Sequence, residues 1–174
     1  MENFIAYNPT KVHFGKNVVS DLGEAVQSLG KRVLLMYGKG SVMKNGSYDD
    51  VKQQLDSIDA EVFEYSGIKP NPLATDVDEA AKMGKDNEVD FIVAVGGGSV
   101  IDSAKITAIA IASNAGAWDI MKGKIKDPVA VPLIAVLTLA ATGTEMNPIA
   151  VLQNPLTREK IGYGNNEMYP RHSF

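Results

Sequence analysis

Along most of the chain, short apolar runs alternate with longer stretches in which apolar residues recur at helical spacing. Residues 32–37, 91–95 and 131–137 are apolar almost without interruption, as expected of strands covered on both faces of a parallel sheet. Shorter strands are expected at 4–7 and 11–14, separated by an Asn8-Pro9 turn, and at 61–65. Val18, Leu22, Ala25, Val26 and Leu29 form one stripe of a helix over 17–29, which Gly30 ends. A helical stretch follows the turn at 38–41 and runs through Val51 and Leu55. Another helix spans 74–87, with Thr75 offering a cap and Asp76 and Asp78 placing acid in its first turn. The longest helix covers 99–112, and residues 150–153 and 160–163 pair as a hairpin around Asn154-Pro155. Such alternation of strand and helix predicts an α/β fold built from βαβ units.

Composition narrows the function. The chain has 174 residues, 45% hydrophobic and 22% charged, with 17 basic against 21 acidic residues and a net charge of −4. That balance disfavours nucleic acid or an anionic membrane as a partner. The absence of cysteine excludes disulfides and thiolate metal sites. The N-terminus lacks the basic leader and apolar core of a signal peptide. The longest apolar run, 129–141, contains Pro132 and Thr138 and falls short of the ~20 residues of a membrane span. A soluble, cytoplasmic protein is expected.

Three stretches carry candidate chemistry. In the first, the 91–95 strand ends in Gly96-Gly97-Gly98 and passes directly into a helix beginning with Ser99. Glycines let a ligand approach the backbone amides, and a helix N-terminus offers unpaired N–H groups and positive dipole, which together suit a phosphate or pyrophosphate. The standard fingerprints do not apply. Ile101 stands where the third glycine of a dinucleotide motif would be, and Gly38-Lys39 is followed by Gly40 rather than the hydroxyl of a Walker loop. The second stretch, Gly38-Lys39-Gly40-Ser41 with Lys44 beyond it, offers cations where a site for NAD usually offers a carboxylate. It suits a 2′-phosphate, although a plain solvated turn would read the same. The third, 138–147, brings hydroxyls and Asn147 to the end of the 131–137 strand. The only histidines, His13 and His172, have no helical ligand spacing between them.

Taken in order, Pro9-Thr10, Phe14-Gly15-Lys16, Tyr37-Gly38-Lys39-Gly40-Ser41, Pro70-Asn71-Pro72, the run from Gly96 to Lys105, Thr142-Gly143-Thr144-Glu145-Met146-Asn147 and Lys160 resemble the iron-containing (metal-dependent) alcohol dehydrogenase family, in its NADP-preferring, butanol dehydrogenase-like branch. Mild departures are Leu137-Thr138-Leu139, where many relatives have Pro-Thr, and Thr144, often serine. The resemblance implies a Rossmann-like, parallel-sheet nucleotide-binding domain of the dehydroquinate synthase-like fold. It also implies a C-terminal helical domain whose aspartate and three histidines hold Fe²⁺ or Zn²⁺, in a homodimer acting on a small alcohol or aldehyde. The implied cofactor is NADP, with NAD as the alternative. Gly97, Gly98 and Ser99 would hold its pyrophosphate. Gly38, Lys39, Gly40 and Ser41 would meet the adenosine ribose and 2′-phosphate, with Asn71 close by. Thr138, Leu139, Asn147 and Lys160 would line the nicotinamide half, and Asp102 would brace the glycine turn or contact the cofactor. With two histidines, residues 1–174 are read as one cofactor-binding domain, lacking the helical domain and carrying no catalytic or metal-ligating residue. The alternative from another class is a nucleotide-binding module without turnover. A lyase relative of dehydroquinate synthase is a weaker third.

Overall fold

The computed structural model describes residues 3, 5 and 7–174. Its main sheet has six strands: β1 (Lys11–Val12), β2 (Arg32–Tyr37), β3 (Glu61–Tyr65), β4 (Phe91–Gly96), β5 (Leu133–Leu137) and β8 (His172–Ser173). Their order is β1-β8-β5-β4-β2-β3, and every neighbouring pair is parallel. The helices are α1 (Leu22–Val26), α2 (Ser41–Lys44), α3 (Ser47–Ser57), α4 (Ala74–Asp86), α5 (Gly98–Ser113) and α6 (Ala117–Met121). A separate antiparallel hairpin pairs β6 (Ile149–Gln153) with β7 (Lys160–Gly164). No helix among the described residues is long and apolar enough to cross a membrane.

The unbroken apolar runs follow from this layering. Val33, Leu35 and Tyr37 of β2, with Val93 and Val95 of β4, face Leu22, Val26, Val51 and Leu55 of α1 and α3. The alternate residues Leu34, Met36, Ile92 and Ala94 face Ala80, Ile101, Ala104 and Ala108 of α4 and α5. A strand with apolar neighbours on both sides has no position to give to water. A third cluster joins the far side of α5 to α4, α6 and the hairpin through Val77, Ile106, Ile109, Ile120 and Leu152.

Several boundaries depart from the sequence pattern. Of the strand expected at 4–7, Phe4 and Ala6 lie outside the described residues, and the strand at 11–14 shrinks to Lys11–Val12. The helix expected over 17–29 begins as a 3₁₀ turn, Val18–Asp21, before the single α-turn of α1. Two β-branched valines and Gly23 make a poor helix start. A Cβ on Gly23 would also meet the Gln54 carbonyl of α3 at 3.2 Å. The next helical stretch is divided at Asn45-Gly46, where Gly46 takes φ 82°. Thr75 does not cap α4: the capping position is Leu73, without a side-chain hydrogen bond. The strand expected at 131–137 starts at Leu133, and the longest helix starts at Gly98, so Ser99 lies inside its first turn.

The short strand β8 had no apolar run to mark it. It lies between β1 and β5, so Lys11 and His172, at opposite ends of the chain, become sheet neighbours. There His13 Nε2 lies 3.0 Å from His172 Nδ1, and the His13 ring stacks on Phe174 at 4.2 Å. Burial, helped by Lys11, holds His13 below the ordinary imidazole range. Burial and the charges of His13, Lys11 and Arg171 do the same for His172. Because the folded state disfavours both imidazolium forms, the unfolded chain takes up more protons below about pH 6.5, and stability falls as pH drops through that range. Urea midpoints at pH 7.5 and 5.5 should therefore separate more widely for the native chain than for His13→Gln. Equal separations would remove the pair from the acid response.

Candidate functional site

The carboxyl ends of β2 and β4 open into a cavity of ≈ 390 Å³. Gly38, Lys39 and Ser41 form one wall, Ile68, Lys69 and Pro70 a second, and the turn from Gly96 to Val100 the floor, with Leu139 at the edge. The two walls are tied together by the Gly67 N–H donating to the Gly38 carbonyl at 2.9 Å. This extends the β2–β3 register beyond the strands.

The three glycines of the floor do different work. Gly96 takes φ 157°, and a Cβ there would come within 2.7 Å of Val100 Cγ2. Glycine is required for the chain to turn from strand into helix. At Gly97 the backbone is extended (φ −85°, ψ −171°), and a Cβ would meet nothing nearer than Leu139 Cβ at 4.0 Å. Its missing side chain leaves the floor bare toward the cavity. At Gly98 a Cβ would meet Thr142 Oγ1 at 3.4 Å. The 16-residue helix α5 therefore presents its first amides, which have no intrahelical acceptor, beneath bare backbone. That is the geometry of an anion cradle.

The electrostatics agree. Lys39 and Lys69 line the cavity and, among the described residues, no carboxylate does. The acid at the end of β3, Glu64, is already engaged, accepting from the Tyr37 hydroxyl at 2.7 Å and the Tyr48 hydroxyl at 2.8 Å. Burial first, and then the same carboxylate, pushes both phenols up to about 12. Lys44 lies outside the lining.

Of the sequence-derived candidates, Gly38, Lys39, Ser41, Gly97, Gly98, Ser99 and Leu139 meet at this cavity. The others stand around it. Gly40 precedes α2. Thr138 donates its N–H to the Gly96 carbonyl at 3.1 Å, joining the ends of β4 and β5. Asn71, at φ 58°, accepts from the Lys160 ammonium at 2.7 Å, while Gln153 N–H donates to the Pro72 carbonyl at 2.9 Å. This pins the hairpin to the proline turn. Asp102 neither lines the cavity nor bonds to the glycine turn. Its carboxylate accepts from the Thr144 hydroxyl at 2.6 Å and from Val151 N–H at 3.0 Å. Burial holds that carboxyl above its usual range, against the lowering effect of those two donors and Lys105. Asn147 is used within its own loop, its Oδ1 accepting from Ile149 N–H at 2.9 Å.

Comparison with known proteins gives the family. A family model for iron-containing alcohol dehydrogenases matches residues 9–174. The chain belongs to that family. It is 46% identical over 173 residues to the probable NADH-dependent butanol dehydrogenase 2 of Bacillus subtilis, covering 99% of this chain and 44% of that protein. It is 38% identical over 173 residues to the NADPH-dependent aldehyde reductase YqhD of Escherichia coli, covering 98% and 44%. The solved structure of NADH-dependent butanol dehydrogenase A from Thermotoga maritima matches with a TM-score of 0.93 at 44% identity, over 99% of this chain and 44% of that one. The chain thus spans less than half the length of these iron-containing alcohol dehydrogenase relatives.

Two residues of the site region escape a reading by motif. Lys69 sits beside the Pro70-Asn71-Pro72 turn, and nothing local separates it from a surface lysine. Lys105 is fully buried. Its one sequence signal is being the sole cation in a helix rich in apolar residues. The different duties of the floor glycines lead to a stability test by urea unfolding. Gly96→Ala, which must displace Val100, should cost about 1–3 kcal/mol. Gly97→Ala, extended and unobstructed, should leave the midpoint nearly unchanged, and equal losses would contradict this assignment.

Proposed function

We propose that this chain is the cofactor-binding domain of an NADP-dependent alcohol or aldehyde oxidoreductase, in which hydride passes between the nicotinamide and a small alcohol or aldehyde. The observation that carries the reading is the bare glycine floor at the α5 N-terminus, walled by Lys39 and Lys69 with no carboxylate among the described lining residues. The amides of Gly97, Gly98 and Ser99 hold the pyrophosphate. Lys39 and Ser41, with Gly38 and Gly40 giving the turn its approach, meet the ribose and 2′-phosphate. Leu139 and Thr138 continue toward the nicotinamide side, where Asn147 and Lys160 belong, Asn71 lies near the ribose, and Asp102 braces the 144–151 segment rather than the glycine turn. The bound dinucleotide supplies the hydride acceptor or donor. The parent enzyme is read as a cytoplasmic homodimer.

The family resemblance also implies Fe²⁺ or Zn²⁺, and the described residues do not fit it. They contain no group of three His, Cys, Asp or Glu side chains able to hold a metal. His13 and His172 are engaged with each other. A second reading, NAD preference, is favoured by the names of relatives such as the Bacillus subtilis and Thermotoga maritima butanol dehydrogenases.

Fluorescence titration with NADPH and NADH separates the two. NADPH should bind the native chain more tightly. Lys39→Asp should move the preference toward NADH by about tenfold or more, since a charge-assisted contact is worth roughly 1.5–3 kcal/mol and the new carboxylate repels the 2′-phosphate. An unchanged ratio would sink the assignment of this turn. The same chain should bind NADPH yet produce none from NADP⁺ and butanol, with or without added Fe²⁺ or Zn²⁺. Metal-stimulated turnover would refute the reading of this chain as the cofactor-binding part alone.

A further inference from the structure

Lys105 lies two turns down α5 from the glycine floor, fully buried and outside the cavity lining. Its ammonium donates to the carbonyls of Asn147 at 2.7 Å and Ile149 at 2.8 Å, and to the Thr144 hydroxyl at 2.8 Å. The Asn147 side-chain oxygen stands at 3.2 Å. None of the three near partners has a proton to give back. Two are carbonyls, and Thr144 spends its own proton on Asp102. Three acceptors require three N–H donors, which the ammonium form of lysine supplies and its neutral amine does not. Glutamine brings two and methionine none.

These partners lie at both ends of one loop. Drawing Thr144, Asn147 and Ile149 to a single nitrogen folds the segment 144–149 onto α5. Thr142 is thereby held 3.4 Å, and Thr144 Cγ2 3.8 Å, from where a Cβ of Gly98 would stand. The charged groups facing Lys105 are Asp102 on its own helix and Glu145 on the loop. Burial pushes its amine down to about 8, against both of these, so the cation persists at neutral pH.

We propose that Lys105 is a positioning residue that latches the 142–149 loop over the amino end of α5 and so shapes the wall along which a dinucleotide's pyrophosphate and nicotinamide side lie. It touches no ligand and acts through the loop. The binding consequence rests on the function proposed above, whereas the latch itself does not.

The test uses the 174-residue chain with Lys105→Ala and Lys105→Met, the second retaining the buried stem if the first fails to fold. Amide hydrogen exchange should show Ile149 and Val151 losing protection in either variant while β2 and β4 keep theirs. NADPH affinity should fall about tenfold or more, the scale of lost charge-assisted hydrogen bonds. Propylammonium should restore protection and affinity to Lys105→Ala, whereas propan-1-ol of the same size should not. Unchanged protection at Ile149 and Val151, or equal rescue by the alcohol, would overturn the latch. If the native chain binds no NADPH, the dinucleotide reading fails, while exchange and rescue still decide the latch.

Discussion

From Val100 to Ala110 the helix that leaves the glycine turn is buried at all but Asp102, and the rest of the molecule is arranged to keep it so. Ile101, Ala104 and Ala108 of α5 pack on the sheet, while Ile106, Ile109 and Ala110 pack on α4, α6 and the hairpin. Each fully buried isoleucine contributes about 1.5–3 kcal/mol, so the helix axis has little freedom. Its amino end is therefore fixed at the cavity beyond the ends of β2 and β4. A preorganised donor set of this kind binds an anion without having to order itself first.

A helix so largely buried leaves little water for its polar side chains, and this one carries two ionisable groups. Asp102 and Lys105 resolve the conflict by taking partners from the 144–151 segment rather than from each other. The bonds that satisfy them also attach the loop and the hairpin to α5. Burying a charge is costly unless it is fully hydrogen-bonded, and the segment that meets this need becomes part of the site. A second engagement, of Glu64 by Tyr37 and Tyr48, occupies the acid nearest the β2 turn. The cavity is left with lysines and backbone amides.

The candidate residues thus divide by distance from the cradle. Those at the ends of β2 and β4 share one cavity. Asn71 and Lys160, 89 positions apart, meet each other instead and fasten the hairpin to the proline turn. Asn71 takes a left-handed conformation there, which asparagine tolerates better than most residues.

The parallel sheet, its three long strands, the helix after the triple glycine and the hairpin could all be read from the chain. Each depends on local pattern: unbroken apolar runs, helical periodicity, and glycine where the backbone must turn. The floor residues Gly97, Gly98 and Ser99 were legible for the same reason, being contiguous in sequence. What the pattern could not carry was anything set by contacts between distant segments. The strand at His172–Ser173 has no periodicity of its own and exists because β1 and β5 flank it. The closeness of an α3 carbonyl to Gly23, which leaves little room for a side chain there, is likewise set by packing. The roles of Asp102 and Lys105 were hidden because a charged side chain in a helix reads as solvent-facing until the surfaces covering it are known. Burial is a property of the assembled core, and it alone decided which charges line the cavity and which hold its walls in place.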